Sequence, residues 1–144
     1  MPKKHLIIDS ADLSIEQKVV GLLGCIAHEQ RTQMEALIAN EGLSMLQLEI
    51  LHNLAQSPKG MLTVGHLKGR LIDDSPNVSR TLNKLVDSGL VTKRRCKQDQ
   101  RIVYIEITPD GHEAHHRADA HLTQMKTALS KTDLANLYAL LQKF

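Results

Sequence analysis

Ser75-Pro76-Asn77-Val78-Ser79-Arg80-Thr81-Leu82-Asn83-Lys84-Leu85-Val86-Asp87-Ser88-Gly89-Leu90-Val91 runs from a helix start into the beginning of a strand. A serine hydroxyl caps free backbone N–H groups, and the fixed φ of proline suits the first helical position, where no N–H is needed. Ser88-Gly89 stops the helix. At about 100° per residue, Val78, Leu82, Leu85 and Val86 share one side. Asn77, Arg80 and Lys84 point the other way, with Asn83 at the edge. The small hydrogen-bonding residues Ser75, Asn77 and Ser79 crowd the first turn. Such a helix fits the major groove of double-stranded DNA, where each base pair shows its own pattern of donors and acceptors. Arginine can donate twice to guanine, asparagine can pair with adenine, and serine or a helix-start N–H suits phosphate.

Both flanks strengthen that reading. Upstream, Thr63 caps a short helix whose inner side is Val64, Leu67 and Leu71, and Asp73-Asp74 breaks it. Two short helices joined by a tight polar turn make a helix-turn-helix. Downstream, Leu90-Val91-Thr92-Lys93-Arg94-Arg95 is extended and basic, residues 96–100 form a polar tip, and the β-branched run Arg101–Ile107 returns. This pattern predicts a two-stranded wing. Residues 75–101 hold seven basic and two acidic residues, a net +5, whereas the rest holds 11 basic and 14 acidic, a net −3. A polyanion is the partner such a window selects. Arg94, Arg95, Lys97 and Arg101 are placed to reach phosphates or the minor groove. Asp99 is read as orienting Arg101 or a neighbouring arginine, the alternative being a plain turn residue.

Further out, residues 11–40 read as one long helix, capped by Asp12 or Ser14 and ended by Gly42 in a left-handed conformation. Gly21 and Gly24 weaken it and leave room for a neighbouring helix. Ser44, with Gln47 three residues on, opens a helix apolar enough to be central. Thr108-Pro109 opens another, expected to run to about Leu129, and Ser130 or Thr132 opens the last. Ile15, Val19, Leu22 and Ile26 line the first long helix, and Leu134, Leu137 and Leu141 the last. These stripes need an apolar partner, either each other within one chain or a second copy. Across a two-fold axis they would hold two recognition helices about 34 Å apart, matching a palindromic site.

With these motifs the chain resembles the MarR family of bacterial transcriptional regulators. The resemblance spans nearly the whole chain and is sharpest at residues 75–91, at Asp99-Gln100-Arg101 and at Ile107-Thr108-Pro109-Asp110-Gly111. It implies a mainly α fold with a small β wing, a winged helix-turn-helix over residues 44–107. Helices within 11–40 and 109–144 would form a homodimer interface through Ile15, Val19, Leu22, Leu134, Leu137 and Leu141. It carries DNA contact over to Ser75, Asn77, Ser79, Arg80, Asn83 and Lys84 on the helix, and to Arg94, Lys97, Asp99 and Arg101 on the wing. It also implies a repressor relieved by an effector, bound near His28 and Arg31 if a carboxylate ligand pairs there.

Other signals compete. His112-Glu113-Ala114-His115-His116 matches the His-Glu-x-x-His pattern of zinc hydrolases, with His112 and His116 one turn apart. It lies at the start of a polar helix without a convincing third ligand. Weak metal binding through His112, His115, His116 or His121 is the more plausible residue of that signal, and no catalytic residue or cofactor is expected. Cys25 reads as a buried thiol. Cys96, among Arg94, Arg95 and Lys97, reads as exposed and inclined to thiolate. Two cysteines exclude a disulfide-stapled fold, and three aromatic residues (Tyr104, Tyr138, Phe144) exclude base-stacking platforms. The longest apolar run, residues 19–27, is too short for a bilayer, and residues 3–9 do not form a signal peptide, so a cytoplasmic protein without membrane contact is expected.

Overall fold

The computed structural model describes residues 4–72 and 77–144, so the helix start expected at Ser75-Pro76 and the break at Asp73-Asp74 lie outside the described residues. A short helix α1 (Lys4–Ile8) precedes the 25-residue α2 (Ile15–Ala39). Ser14, not Asp12, caps α2: its side chain accepts from the Gln17 N–H while the Gln17 side chain accepts from the Ser14 N–H. The helix ends before Gly42, whose φ of 70° no other residue type adopts cheaply. Gly21 does leave room for a neighbour. A Cβ there would stand 3.1 Å from Ile7, so α1 lies directly over it.

The second long-range anchor is α3 (Met45–Ala55), opened by the same reciprocal cap between Ser44 and Gln47. Its Leu48, Ile50, Leu51 and Leu54 are all buried. At about 1.5–3 kcal/mol for each such side chain, this helix is the main stabilising element of the domain. Around it pack α4 (Val64–Lys68), through Leu67, and α5 (Asn77–Asp87), through Val78, Leu82 and Leu85. Ala114 and Ala118 of α6 (Pro109–Leu122) close the same core.

The wing has three strands rather than two. β1 (Met61–Thr63) joins the hairpin of β2 (Val91–Arg95) and β3 (Val103–Ile107), in the antiparallel order β1-β3-β2. Leu62 lies opposite Ile105 and Lys93 opposite the same residue from the other side. A three-residue strand is too short to show alternation in sequence, and it forms here because β3 supplies its partners. The returning strand starts at Val103, not Arg101, because Cys96 N–H donates to Ile102 O and Ile102 N–H to Asp99 O, drawing 96–102 into the turn.

The helix opened by Thr108 ends at Leu122 instead of reaching Leu129. Thr123 turns its hydroxyl back to Ala120 O, and the N–H groups of Gln124 and Met125 donate to carbonyls only three residues back. That tighter winding ends the α-helix. The last helix, α7 (Lys131–Leu141), is capped by Ser130 and buries no residue within its own chain. Among the described residues no helix is long and apolar enough to cross a membrane.

Candidate nucleic-acid interface

One residue, Thr108, ties the recognition helix to the rest of the body. Its hydroxyl donates to Gly89 O at 2.7 Å and accepts from Gly111 N–H at 3.0 Å, while its own N–H donates to Leu90 O. The end of α5, the start of β2 and the start of α6 are thereby locked at one point. A Cβ on Gly111 would sit 2.1 Å from Leu90 O, so only glycine permits this approach.

On α5 the expected division of faces is present. Val78, Leu82 and Leu85 are buried, whereas Asn77, Ser79, Arg80, Asn83 and Lys84 are exposed. Arg80 and Lys84 make no ion pair with any described residue. Both are charges on the helix surface that no described carboxylate neutralises. Lys93 on β2 reaches within 3.5 Å of the Asn83 side chain and brings the wing beside the helix. Ser75 lies outside the described residues.

On the wing, the arginines divide into held and open ones. The Arg94 guanidinium stacks 4.9 Å over the Tyr104 ring, and Arg95 donates to Gln100 O at 3.0 Å across the hairpin. Lys97 and Arg101 are exposed. Asp99 does not pair with an arginine side chain among the described residues. Its Oδ1 accepts the Arg101 backbone N–H at 2.9 Å, so it shapes the tip turn and sets the main chain from which Arg101 projects. The turn role of an aspartate therefore replaces the orienting ion pair expected from the sequence.

A groove of about 590 Å³ separates α4 from the wing. His66, Lys68, Lys93 and Arg101 all line it. The sequence reading singled out only Arg101 of these as a site residue. Lys68 was accessible to it as the polar position next to buried Leu67, but the juxtaposition with Lys93 depends on the sheet.

Of the two effector candidates, Arg31 lines a cavity of about 370 Å³ with Met34, Met45, Leu46 and Glu49, and pairs with Glu35 at 3.1 Å. His28 is not among its lining residues. Cys25 is buried and Cys96 half-buried, the latter less exposed than its basic surroundings suggest.

His112 and His116 lie one turn apart on α6, both exposed, and no third described ligand joins them. Glu113, the required general base of a hydrolase, is engaged by Arg117 at 2.8 Å. Arg117 also holds Glu41 at 2.9 Å, and His121 meets the other Glu41 oxygen at 3.0 Å. The Arg117 and His121 hydrogen bonds keep the Glu41 carboxyl below its usual range. The residues that do converge are His52, His115 and Asp119.

Residues 41–102, covering the helix-turn-helix and most of the wing, match the model of the MarR family. Over that region the chain resembles the MarR family. A curated relative, the organic hydroperoxide resistance transcriptional regulator of Bacillus subtilis (strain 168), is 27% identical over 99 residues, which is 69% of this chain and 66% of that regulator. The match thus spans just under two thirds of the relative's length. Among solved structures, a MarR-like transcription regulator from Bacillus cereus ATCC 10987 aligns with a TM-score of 0.81 at 19% identity, over 89% of this chain and 94% of the other. Sco3205, a MarR family transcriptional regulator from Streptomyces coelicolor crystallised with DNA, aligns with a TM-score of 0.67 at 22% identity, over 92% and 88%. At these identities the structural likeness is one of fold. These relatives are transcriptional regulators, and one of them was solved with DNA.

Proposed function

We propose that this protein binds a palindromic operator as a homodimer and represses transcription until an effector releases it. The exposed Arg80 and Lys84 on α5, paired with no described carboxylate and beside a basic wing, carry the reading. In it, Ser75, Asn77, Ser79, Arg80, Asn83 and Lys84 enter the major groove. Arg94, Lys97 and Arg101, with the turn at Asp99, follow the flanking backbone or minor groove. Residues 44–107 are then the DNA-binding region, and the helices within 11–40 and 109–144 the dimer region.

The dimer is supported by what α2 and α7 leave uncovered. Leu134, Leu137 and Leu141 are 39%, 40% and 42% exposed, and Ile15 is 69% exposed. Two such helices in one chain, each with an open apolar face, are the pattern of an unassembled interface. Leu137→Glu is expected to shift the protein to a single chain in sedimentation velocity at micromolar concentration while leaving its helix content largely intact. An unchanged sedimentation coefficient removes α7 from the interface.

The cavity at Arg31 lies between α2 and α3; its apolar wall, with Arg31 and Glu49 at the polar side, suits a small effector, and an anionic one would compete with Glu35 for Arg31.

Selection from a random duplex library, followed by binding of the winner across a salt series, tests the whole reading. An inverted repeat with half-sites about 10 bp apart and a steep fall of affinity with salt support it. Binding without an enriched motif contradicts it and favours a winged helix that meets an acidic protein. Arg101→Ala is expected to weaken binding to all duplexes alike and to reduce the salt slope by about one. A loss confined to one sequence contradicts a backbone or groove-width role.

A further inference from the structure

Three potential metal ligands converge from two helices at the side of the contact between α3 and α6. His52 projects from α3; His115 and Asp119 project from α6, four residues apart and therefore on one face. His52 Nδ1 and His115 Nε2 are 3.0 Å apart, with ring centroids 5.2 Å apart and the rings tilted by 47°. One ligand atom from each of His52, His115 and Asp119 lies within 4.8 Å of the other two.

Elementary geometry connects this arrangement to an ion. With Zn–N bonds of about 2.0–2.1 Å at tetrahedral angles, two imidazole nitrogens lie about 3.3 Å apart. The histidine pair therefore needs to open by only about 0.3 Å, and a carboxylate oxygen within 4.8 Å closes the rest by side-chain rotation. At their present separation the two nitrogens must share one hydrogen, since two ring N–H groups facing each other repel. A divalent ion takes the place of that hydrogen and bonds to both lone pairs. Burial, then the neighbouring His52, holds His115 below the usual imidazole range, which favours the neutral form that coordinates metals.

We infer that His52, His115 and Asp119 bind one divalent transition-metal ion of the zinc class. Two imidazoles and one carboxylate are the donor set of zinc, cobalt(II) and nickel, whereas calcium and magnesium require oxygens. Because His52 is exposed and the other two are half-buried, a fourth position faces water. Three protein ligands and one open position result. The ion links α3, the central helix, to α6. The site is separate from the His112–His116 pair, which shares one helix.

Cobalt(II) titration of the tag-free, chelator-treated full-length protein tests the inference. One equivalent per chain with tetrahedral ligand-field bands, displaced by zinc, is expected. His52→Gln and His115→Gln should each weaken binding by at least about tenfold, the loss that even outer-shell changes produce. His112→Gln and His116→Gln should leave it unchanged. Asp119→Asn, nearly isosteric, should lose affinity with unaltered helix content and keeps the test open if a histidine change disturbs folding. Non-saturating binding by the unaltered protein overturns the inference, as does a loss of affinity that follows His112 or His116 instead.

Discussion

Arg80→Ala is expected to weaken binding to the best duplex by about 1–3 kcal/mol, or roughly 5- to 150-fold, and to flatten discrimination at one or two positions in each half-site. The size follows from the position. Arg80 sits on the exposed side of α5, one turn behind the helix start, and pairs with no described carboxylate. It gives up no ion pair to a described residue on meeting DNA, so most of its interaction energy is expected to appear as affinity. The substitution should also leave thermal stability unchanged, because Val78, Leu82 and Leu85 hold the helix on its other side. Fluorescence anisotropy on the selected duplex and on its single-position variants measures both terms. Unchanged affinity for the best site means that Arg80 faces solvent in the complex.

The second large effect concerns folding. Gly111→Ala places a methyl group 2.1 Å from Leu90 O and 2.8 Å from Ile107 Cγ1. Neither neighbour can retreat easily: Leu90 O accepts the Thr108 N–H, and Ile107 belongs to the core end of β3. The cost falls at the upper end of overpacking, about 3 kcal/mol, with a fall in melting temperature of roughly 10 °C. Gly65→Ala is the control. A Cβ there meets nothing within 4 Å, and alanine favours helix, so stability should hold or rise slightly. Equal melting temperatures for the two variants contradict the packing at Gly111.

The features legible in the sequence were those decided locally. Ser14 with Gln17, Ser44 with Gln47, Thr63 and Thr108 each cap a helix through bonds spanning three residues, and the spacing alone reveals them. The two faces of α5 follow from a single period. What escaped depends on distant partners. β1 is three residues long and exists because β3 pairs with it. α1 has one buried residue, Ile7, and owes its place to the gap over Gly21. His52 and His115 stand 63 residues apart, so no local spacing points to them. Of the two roles open to Asp99 in sequence, the ion-pair partner and the turn residue, the turn governs.

The uncovered face of α7 has a thermodynamic consequence. A helix of 11 residues is marginal in water on its own, and this one fully buries no residue in its own chain. In the proposed dimer its helical state draws free energy from the second molecule, which makes association and ordering of the C-terminal segment one linked equilibrium. The melting temperature should then climb with protein concentration, and dilution should release the last turns before the central helix yields.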